Sequence, residues 1–151
     1  MLVSREQIYL DLIITDRDQL LRFISTEATN QKVATNEHEL FQDFIAREDE
    51  YSTAFQEGIA IPHAKSNAVI KPTLFFAKLK NKVEWESPND YKVDLVFAIL
   101  VPKHEEGTRH VQILSALATR LMDDDFQEEI YGATDKLSVL NLLNNIEERV
   151  G

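Results

Sequence analysis

The sequence predicts an α/β fold, a single-domain sandwich in which a central mixed β-sheet is flanked by helices. Three observations support this: helical periodicity early in the chain, runs of branched and aromatic residues in its middle, and helical periodicity in its last third. Connections that vary between short turns and helices favour a sheet with both parallel and antiparallel strands. With 151 residues, four Gly and four Pro, the chain has the length of one domain and no linker-like stretch, so we expect one domain over 1–151.

Two helices are predicted in the first third of the chain. An apolar-rich approach at 7–14 leads to the first, over 16–29, where an acidic residue precedes apolar residues at helical spacing. Asn36 and Glu39 have the spacing of a capping box and begin the second helix, which is predicted to end near Arg47. Arg47 is therefore expected at the C-terminal end of a helix.

Strands are predicted in the middle of the chain. The short apolar segment 58–61 is closed by Pro62, which disfavours a central strand running through it, so His63 is expected just beyond a strand end. The runs 73–79 and 93–101 are rich in branched and aromatic residues. They are predicted to be interior strands, and the second is apolar on both faces as in a strand that is covered on both sides.

The last third is predicted to be helical. Apolar residues recur at helical spacing over 111–121, and again from Phe126 to Ile146. These helices and the two early ones account for the layers on either side of the predicted sheet.

Charge and cysteine content exclude several function classes. The 16 Lys and Arg against 26 Asp and Glu give a net charge of −10, so phosphate backbones and anionic membrane surfaces would be repelled, and we expect no nucleic-acid partner. The chain has no cysteine, which excludes a disulfide framework, a thiolate nucleophile and a cysteine-based metal site. The longest apolar run, 95–101, is too short to span a bilayer. We therefore expect a cytoplasmic protein without a cofactor or metal.

Of the four histidines, His63 has the setting best suited to chemistry. Gly58 permits unusual backbone angles and Pro62 stiffens the chain, so the imidazole is expected on a rigid turn at a sheet edge. Local sequence alone favours a hydrogen-bonded loop histidine over a catalytic one. His38 and His104 lie in polar surroundings and are predicted to be exposed, without a catalytic role.

The stretch 52–65 resembles the active-site segment of the fructose/mannitol-type enzyme IIA domains of the bacterial phosphoenolpyruvate-dependent sugar phosphotransferase system. The resemblance continues through 93–102, which is similar to the family's apolar strand ending in proline, and through 110–114, which is similar to its His-Leu-x-x-Leu helix start. It covers nearly the whole chain. Ala54 and Val111 depart mildly from the family pattern, where Gly and Leu are usual.

The resemblance implies four active-site residues: His63 as the phosphorylated histidine, His110 as the second histidine, Arg47 as the arginine and Glu57 as the acidic residue. It also implies that Nε2 of His63 is the attacking nitrogen. Chemistry is consistent with these roles, because neutral imidazole is a competent nucleophile near pH 7. Arg47 and His110 are expected to stabilise charge on the phosphoryl oxygens, and Glu57 to orient an imidazole N–H.

The implied function is that of a phosphocarrier, which accepts a phosphoryl group from the phosphohistidine of HPr and passes it to a cysteine of the cognate enzyme IIB. The sugar stays open among fructose, mannitol, galactitol and related substrates, because a IIA component does not contact it. The alternative within the family is a nitrogen-regulatory protein that acts by phosphorylation-dependent protein binding.

The sequence lacks the motifs of two other classes of enzyme. A metal-dependent hydrolase would use His63, His110 and His104, but the sequence has no close-spaced ligand pair of the His-Glu-x-x-His kind. A serine hydrolase would need a Gly-x-Ser-x-Gly elbow, which is also absent from the sequence. Oligomeric state stays open, since no heptad pattern indicates a particular symmetry.

Overall fold

Helices cover both faces of a mixed β-sheet. The computed structural model describes residues 2–104 and 109–150. Within these residues a 3-10 turn at Arg5–Gln7 precedes six strands and five α-helices. The strands are β1 (Ile8–Leu12), β2 (Ala54–Gln56), β3 (Gly58–Ala60), β4 (His63–Ser66), β5 (Thr73–Glu84) and β6 (Lys92–Pro102). The helices are α1 (Arg17–Asn30), α2 (Glu37–Glu50), α3 (Arg109–Leu121), α4 (Asp124–Gly132) and α5 (Lys136–Val150).

The sheet has the order β1-β5-β6-β3-β2, and β4 also pairs with β6. Strands β5 and β6 are antiparallel, as are β2 and β3, whereas β1 is parallel to β5, and β3 and β4 are parallel to β6. The predicted mixed sheet is therefore confirmed. Strand β6 lies at its centre and is buried along nearly its whole length, as expected for a strand that is covered on both faces.

Two hydrophobic cores lie on opposite faces of this sheet. Successive strand residues point to opposite faces, so Phe75 belongs to the core beneath α1 and α2, while Phe76 belongs to the core beneath α3, α4 and α5. Phe44 and Trp85 are buried in the first core, and Phe97 is buried in the second. None of the helices in the described part of the chain has both the length and the apolar character needed to cross a membrane.

The early helices follow their capping signals. Asp16 accepts a hydrogen bond from the backbone N–H of Gln19 and begins α1. Asn36 accepts from the N–H of Glu39 at 3.0 Å and begins α2. Both predicted helix starts are confirmed, since each side chain satisfies a backbone donor that has no partner inside the helix.

Three predicted element bounds are wrong. The stretch 7–14 is not an approach to a helix but contains β1, whose parallel pairing with β5 leaves no local signal in the sequence. Helix α2 continues one turn beyond Arg47, to Glu50, and β5 continues beyond residue 79, to Glu84. Neither extension carries apolar residues at every position expected from the pattern. A prediction based on apolar periodicity therefore stops short of the observed end of each element.

The segment that carries His63 is one interrupted strand alongside β6. Strand β3 pairs with the first half of β6, and β4 pairs with its second half, with His63 opposite Ile99. Pro62 lies at the break, and its carbonyl accepts a hydrogen bond from the N–H of Ile99 at 2.9 Å. The prediction that His63 lies beyond a strand end is therefore wrong in one respect: the strand resumes after the proline, and His63 is the first residue of β4.

Candidate functional site

His63 is half-buried at the break in the interrupted strand, and two neighbours hold its ring. Its Nε2 atom lies 2.8 Å from the Nε–H of Arg47, and its Nδ1 atom lies 3.0 Å from the carbonyl oxygen of Ile61. A guanidinium group only donates and a carbonyl oxygen only accepts. The ring therefore carries its proton on Nδ1 and presents a lone pair at Nε2.

Arg47 comes from the last turn of α2. Its Nη1 donates to the carbonyl oxygen of Tyr51 at 2.6 Å, and Tyr51 is the residue that ends the helix. The last carbonyls of a helix have no partner inside it, so this bond satisfies one of them and holds the guanidinium at the same time. The positive charge also lies at the end of the helix where the macrodipole favours it.

Two depressions meet at His63. The first is a mostly uncharged groove of about 420 Å³ that runs between the β2 region and α3. Its lining comprises Tyr51, Ser52, Thr53, Ala54, Phe55, Ile61, His63, Asn89, Tyr91, Leu114 and Ala118. The second, of about 300 Å³, is charged and is lined by Asp43, Ala46, Arg47, Glu50, His63 and Lys65. A partner that reaches His63 would therefore cross an uncharged surface of mixed polar and apolar residues that is bordered by charges.

The other two predicted site residues are placed differently. His110 lies in the first turn of α3, one helical turn before the groove residue Leu114, and its side chain lies outside the described residues. The carboxylate of Glu57 lies 3.5 Å from Nζ of Lys82 and accepts from the N–H of Lys92 at 3.3 Å. The structure thus places Arg47 against His63, whereas Glu57 contacts the side chain of Lys82 and the backbone of Lys92.

The sheet register gives the separation of Glu57 from His63. Gly58, the next residue after Glu57, pairs with Val93, whereas His63 pairs with Ile99. One of the six steps along β6 is taken up by the register shift after Gly58, and five extended residues from Gly58 to His63 span at most roughly 17 Å. The group that faces Nδ1 of His63 is the Ile61 carbonyl, so the expected orienting contact from Glu57 to an imidazole N–H is filled here by the backbone.

A buried polar cluster behind the site was not predicted. Glu48 accepts hydrogen bonds from the N–H of Thr53 at 3.1 Å and from its hydroxyl group. The indole N–H of Trp85 donates to the same hydroxyl oxygen at 3.3 Å. Burial raises the pKa of Glu48 above its ordinary value, while the bonds from Thr53 and the charge of Arg17 act in the opposite direction.

One sequence signal could have found Glu48. It continues the spacing of Leu40 and Phe44 by another four residues, and this places it on the buried face of α2. For Thr53 and Trp85 no comparable signal exists, because their contacts join segments that are far apart in the chain.

The remaining histidines are solvent-exposed, as predicted for His38 and His104. Within residues 2–104 and the described side chains that follow, no three His, Asp or Glu residues lie close enough together to hold a metal ion.

The fold and the site thus define an α/β protein in which a histidine ring at a break in the sheet accepts a hydrogen bond from a helix-borne arginine. Comparison with known proteins gives the family. The model of the family "Phosphoenolpyruvate-dependent sugar phosphotransferase system, EIIA 2" matches residues 1–146, and the chain belongs to this family. The resemblance found in the sequence is thereby confirmed, and the chain is a phosphotransferase-system component of the EIIA type.

The relatives include sugar-specific PTS components and a nitrogen regulatory protein. The chain is 30% identical over 145 residues to the PTS system 2-O-alpha-mannosyl-D-glycerate-specific EIIABC component of Escherichia coli K12, covering 95% of this chain and 22% of that protein. It is 40% identical over 104 residues to the PTS system fructose-specific EIIA component of Haloferax volcanii, covering 69% of this chain and 67% of that protein. It is 30% identical to the nitrogen regulatory protein of Bradyrhizobium diazoefficiens, covering 94% of this chain and 92% of that protein.

Solved structures share the fold. The nitrogen regulatory protein IIA-Ntr of Neisseria meningitidis has a TM-score of 0.86 at 24% identity, covering 94% of this chain and 96% of that one. Enzyme IIAMTL of Escherichia coli, in its complex with phosphorylated enzyme IIBMTL, has a TM-score of 0.79 at 23% identity, covering 95% of this chain and 99% of that one. The predicted fold class is confirmed by these two structures and by the observed sheet.

Proposed function

We propose that the chain is a phosphocarrier: His63 accepts a phosphoryl group from the phosphohistidine of HPr and passes it to a cysteine of a cognate enzyme IIB for sugar uptake and phosphorylation. The observation that carries the proposal is the 2.8 Å hydrogen bond between Nε of Arg47 and Nε2 of His63, in a chain of the EIIA 2 family. It leaves the lone pair of Nε2 next to a cation that can bind phosphoryl oxygens.

The transfer steps follow from the tautomer of His63. The Nε2 lone pair forms a bond to phosphorus while the phosphorus–nitrogen bond of the donor breaks, and that electron pair returns to the donor imidazole. The Nδ1–H stays on the ring, donating to the Ile61 carbonyl. In the second step a cysteine thiolate attacks phosphorus, and the electron pair of the breaking bond returns to Nε2.

Arg47 is proposed to release the Nε2 lone pair and bind the oxygens of the transferred group. Its guanidinium group already lies beside the attacking atom, so the movement required is small, and the bond to the Tyr51 carbonyl keeps the group at the site. A fixed cation at the place where charge develops is the main means by which proteins speed phosphoryl transfer.

His110 is proposed as a second donor to the phosphoryl group. Positions four apart lie on the same side of a helix, and Leu114, four residues after His110, lines the groove beside His63. Glu57 has no place at the phosphoryl group in this proposal, because its carboxylate pairs with Lys82 and would repel an anionic group.

The mostly uncharged groove beside His63 is proposed as the shared docking surface for the donor and the acceptor. Both partners must reach one imidazole, so they must use overlapping surfaces in turn. The solved complex of enzyme IIAMTL with phosphorylated enzyme IIBMTL supports a IIB partner for this chain. With these partners, the proposed site of action is the cytoplasm, in association with a membrane permease through enzyme IIB.

The test is phosphorylation in a purified system. The protein is incubated with phosphoenolpyruvate, enzyme I and HPr, and intact mass is recorded before and after treatment with acid. We expect one acid-labile phosphoryl group on the wild-type protein and none on His63→Ala. His38→Ala, which removes an exposed histidine, is the matched control and should be phosphorylated normally. An unmodified wild-type protein in the presence of phosphorylated HPr would refute the proposal.

A regulatory role is the second candidate. It is favoured by the nitrogen regulatory protein of Bradyrhizobium diazoefficiens, which matches along 92% of its length, and by the IIA-Ntr structure, with a TM-score of 0.86. In this role phosphorylation of His63 would control binding to another protein. Gene position distinguishes the two roles: adjacency to genes for enzymes IIB and IIC supports transport, and isolation from them supports regulation.

A further inference from the structure

Thr53 is the centre of a buried hydrogen-bond network directly behind the site. Its N–H donates to Glu48 at 3.1 Å, and its hydroxyl group donates to the other oxygen of the same carboxylate. Its carbonyl oxygen accepts from the N–H of Ile61 at 2.9 Å. The indole N–H of Trp85 donates to its hydroxyl oxygen at 3.3 Å, which joins the network to the hydrophobic core.

Two branches of this network lead to the two central site residues. Ile61, which donates to the Thr53 carbonyl, uses its own carbonyl to accept from Nδ1 of His63. Glu48, which accepts from Thr53, directly follows Arg47 in the last turn of α2. Hydrogen bonds lead from His63 through Ile61 and Thr53 to Glu48. Glu48 is joined to Arg47 by the peptide bond between them, and Arg47 donates back to Nε2 of His63, which closes the path.

A single threonine thus connects the backbone that orients the nucleophile with the helix end that carries the cation. Glu48 and Thr53 are both buried, with 5% and 8% of their surface exposed, so neither can replace a lost partner with bulk water. Errors of about 1 Å in the placement of reacting groups are costly, which makes such a connection effective in setting a rate.

We infer that Glu48 and Thr53 are positioning residues, which set the relative placement of Arg47 and His63 and thereby the rate of phosphoryl transfer. This inference rests on the proposed phosphocarrier function for the transfer rate. The placement itself is a property of the unphosphorylated protein, so it can be measured separately.

The principal variant is Thr53→Val, which keeps the size of Thr53 and its backbone bonds to Glu48 and Ile61. It removes the hydroxyl group that donates to the second carboxylate oxygen of Glu48 and accepts from Trp85, and so weakens the hold on the end of α2 that carries Arg47. We expect kcat/KM for transfer from phosphorylated HPr to fall about 10-fold or more, as is typical when a group that orients a functional side chain is removed. In ¹⁵N spectra of the free protein, the His63 ring should shift from the Nδ1–H form toward a mixture of tautomers, because Arg47 would no longer hold Nε2 as an acceptor. The signals of the His63 ring are identified by their absence from the spectrum of His63→Ala.

Glu48 offers a pair of variants that separate geometry from side-chain loss. Glu48→Gln retains an oxygen for the Thr53 N–H and adds an amide N–H for the hydroxyl oxygen, so the transfer rate should stay within about threefold of wild type. Glu48→Ala removes both contacts and should behave like Thr53→Val. This difference would not be expected if residue 48 only filled space.

The matched control is Tyr9→Phe, which removes a half-buried hydroxyl bonded to Glu27 at 3.0 Å on edge strand β1, outside the network. It should leave the transfer rate and the His63 signals unchanged. The inference is overturned if folded Thr53→Val keeps wild-type His63 signals and transfer rate, or if Tyr9→Phe slows transfer equally. A wild-type protein that takes up no phosphoryl group would refute the proposed function, while the ¹⁵N spectra would still decide the positioning.

Discussion

The two ring nitrogens of His63 have separate tasks. Nδ1 is held by the Ile61 carbonyl at 3.0 Å, and this bond selects the tautomer in which Nε2 is free of a proton. Nε2 in turn accepts from Arg47 at 2.8 Å. The lone pair of Nε2 is therefore occupied by Arg47 in the structure, so in the proposed transfer the guanidinium group would move from the nitrogen to a phosphoryl oxygen.

Glu48 should make the stability of the protein depend on pH. Burial raises its pKa in the folded state above the ordinary value of 4.5. Well below that value Glu48 is protonated in both the folded and the unfolded state. As pH rises toward the pKa of the folded state, the carboxyl group ionises first in the unfolded state. The free energy of unfolding therefore falls over this range. The loss is about 1.4 kcal/mol for each pH unit over which the two states differ in protonation.

Urea unfolding at pH values from 4 to 7 measures this effect. As pH rises, the wild-type protein should lose stability while Glu48→Gln should not, because glutamine does not titrate. The free energy of unfolding of Glu48→Gln minus that of wild type should therefore increase with pH. Glu129→Gln, at an exposed position of α4, is the control, and its difference from wild type should stay nearly constant. A Glu48→Gln difference that is equally independent of pH would contradict the raised pKa.

At the scale of elements, the interrupted strand alongside β6 makes the site possible. Strand β3 ends at Ala60, Pro62 lies at the break, and β4 resumes at His63 while both parts stay paired with the same neighbour. The break leaves the carbonyl of Ile61 free to accept from the ring of His63. A continuous strand would direct that carbonyl into the sheet ladder.

Position 58, at the start of this strand, requires glycine for two reasons: its backbone angle and the closeness of a neighbouring side chain. Its φ is +94°, and an added Cβ would lie 2.6 Å from the hydroxyl oxygen of Tyr131. Gly58→Ala should therefore lower the free energy of unfolding by about 1–3 kcal/mol, as measured by chemical denaturation. Gly132→Ala is the matched control, because its added Cβ would meet nothing within 4 Å.

A double mutant separates the two causes at Gly58. If the hydroxyl of Tyr131 is the obstruction, Gly58→Ala combined with Tyr131→Phe should be less destabilised than the sum of the single variants. Strictly additive effects would show that backbone strain alone accounts for the requirement.

At the scale of the whole molecule, the two cores share one sheet. Phe75 and Phe76 are adjacent in β5 yet belong to opposite cores, so loss of the strand pairing between β5 and β6 would expose both. We therefore expect the two layers of helices to unfold together in one cooperative transition.

Trp85 provides a test of this cooperativity. It is the single tryptophan of the chain and lies in the core beneath α1 and α2, so its fluorescence reports on that face. Phe97→Leu, in the opposite core, should shift the fluorescence transition and the far-UV circular dichroism transition by the same amount, equivalent to about 1 kcal/mol. Separate midpoints for the two signals would contradict a single transition.

Much of the fold could be predicted where its signals are local. The caps at Asp16 and Asn36 and the apolar run of β6 depend on residues close together in the chain, so α1, α2 and the central strand follow from spacing. Strand β1 could not be predicted, because its partner β5 lies more than sixty residues away and parallel pairing leaves no mark on either segment alone.

Local motifs and periodicity were enough to identify the family and the layered α/β fold, and they singled out His63 as the candidate phosphorylated residue, which stays a prediction. The contact of Arg47 with His63, the proton on Nδ1 and the connection through Thr53 could be seen only in the folded structure. Each of these is a contact between side chains or backbone groups brought together by sheet pairing and helix packing. Their geometry exists only once the chain has closed on itself.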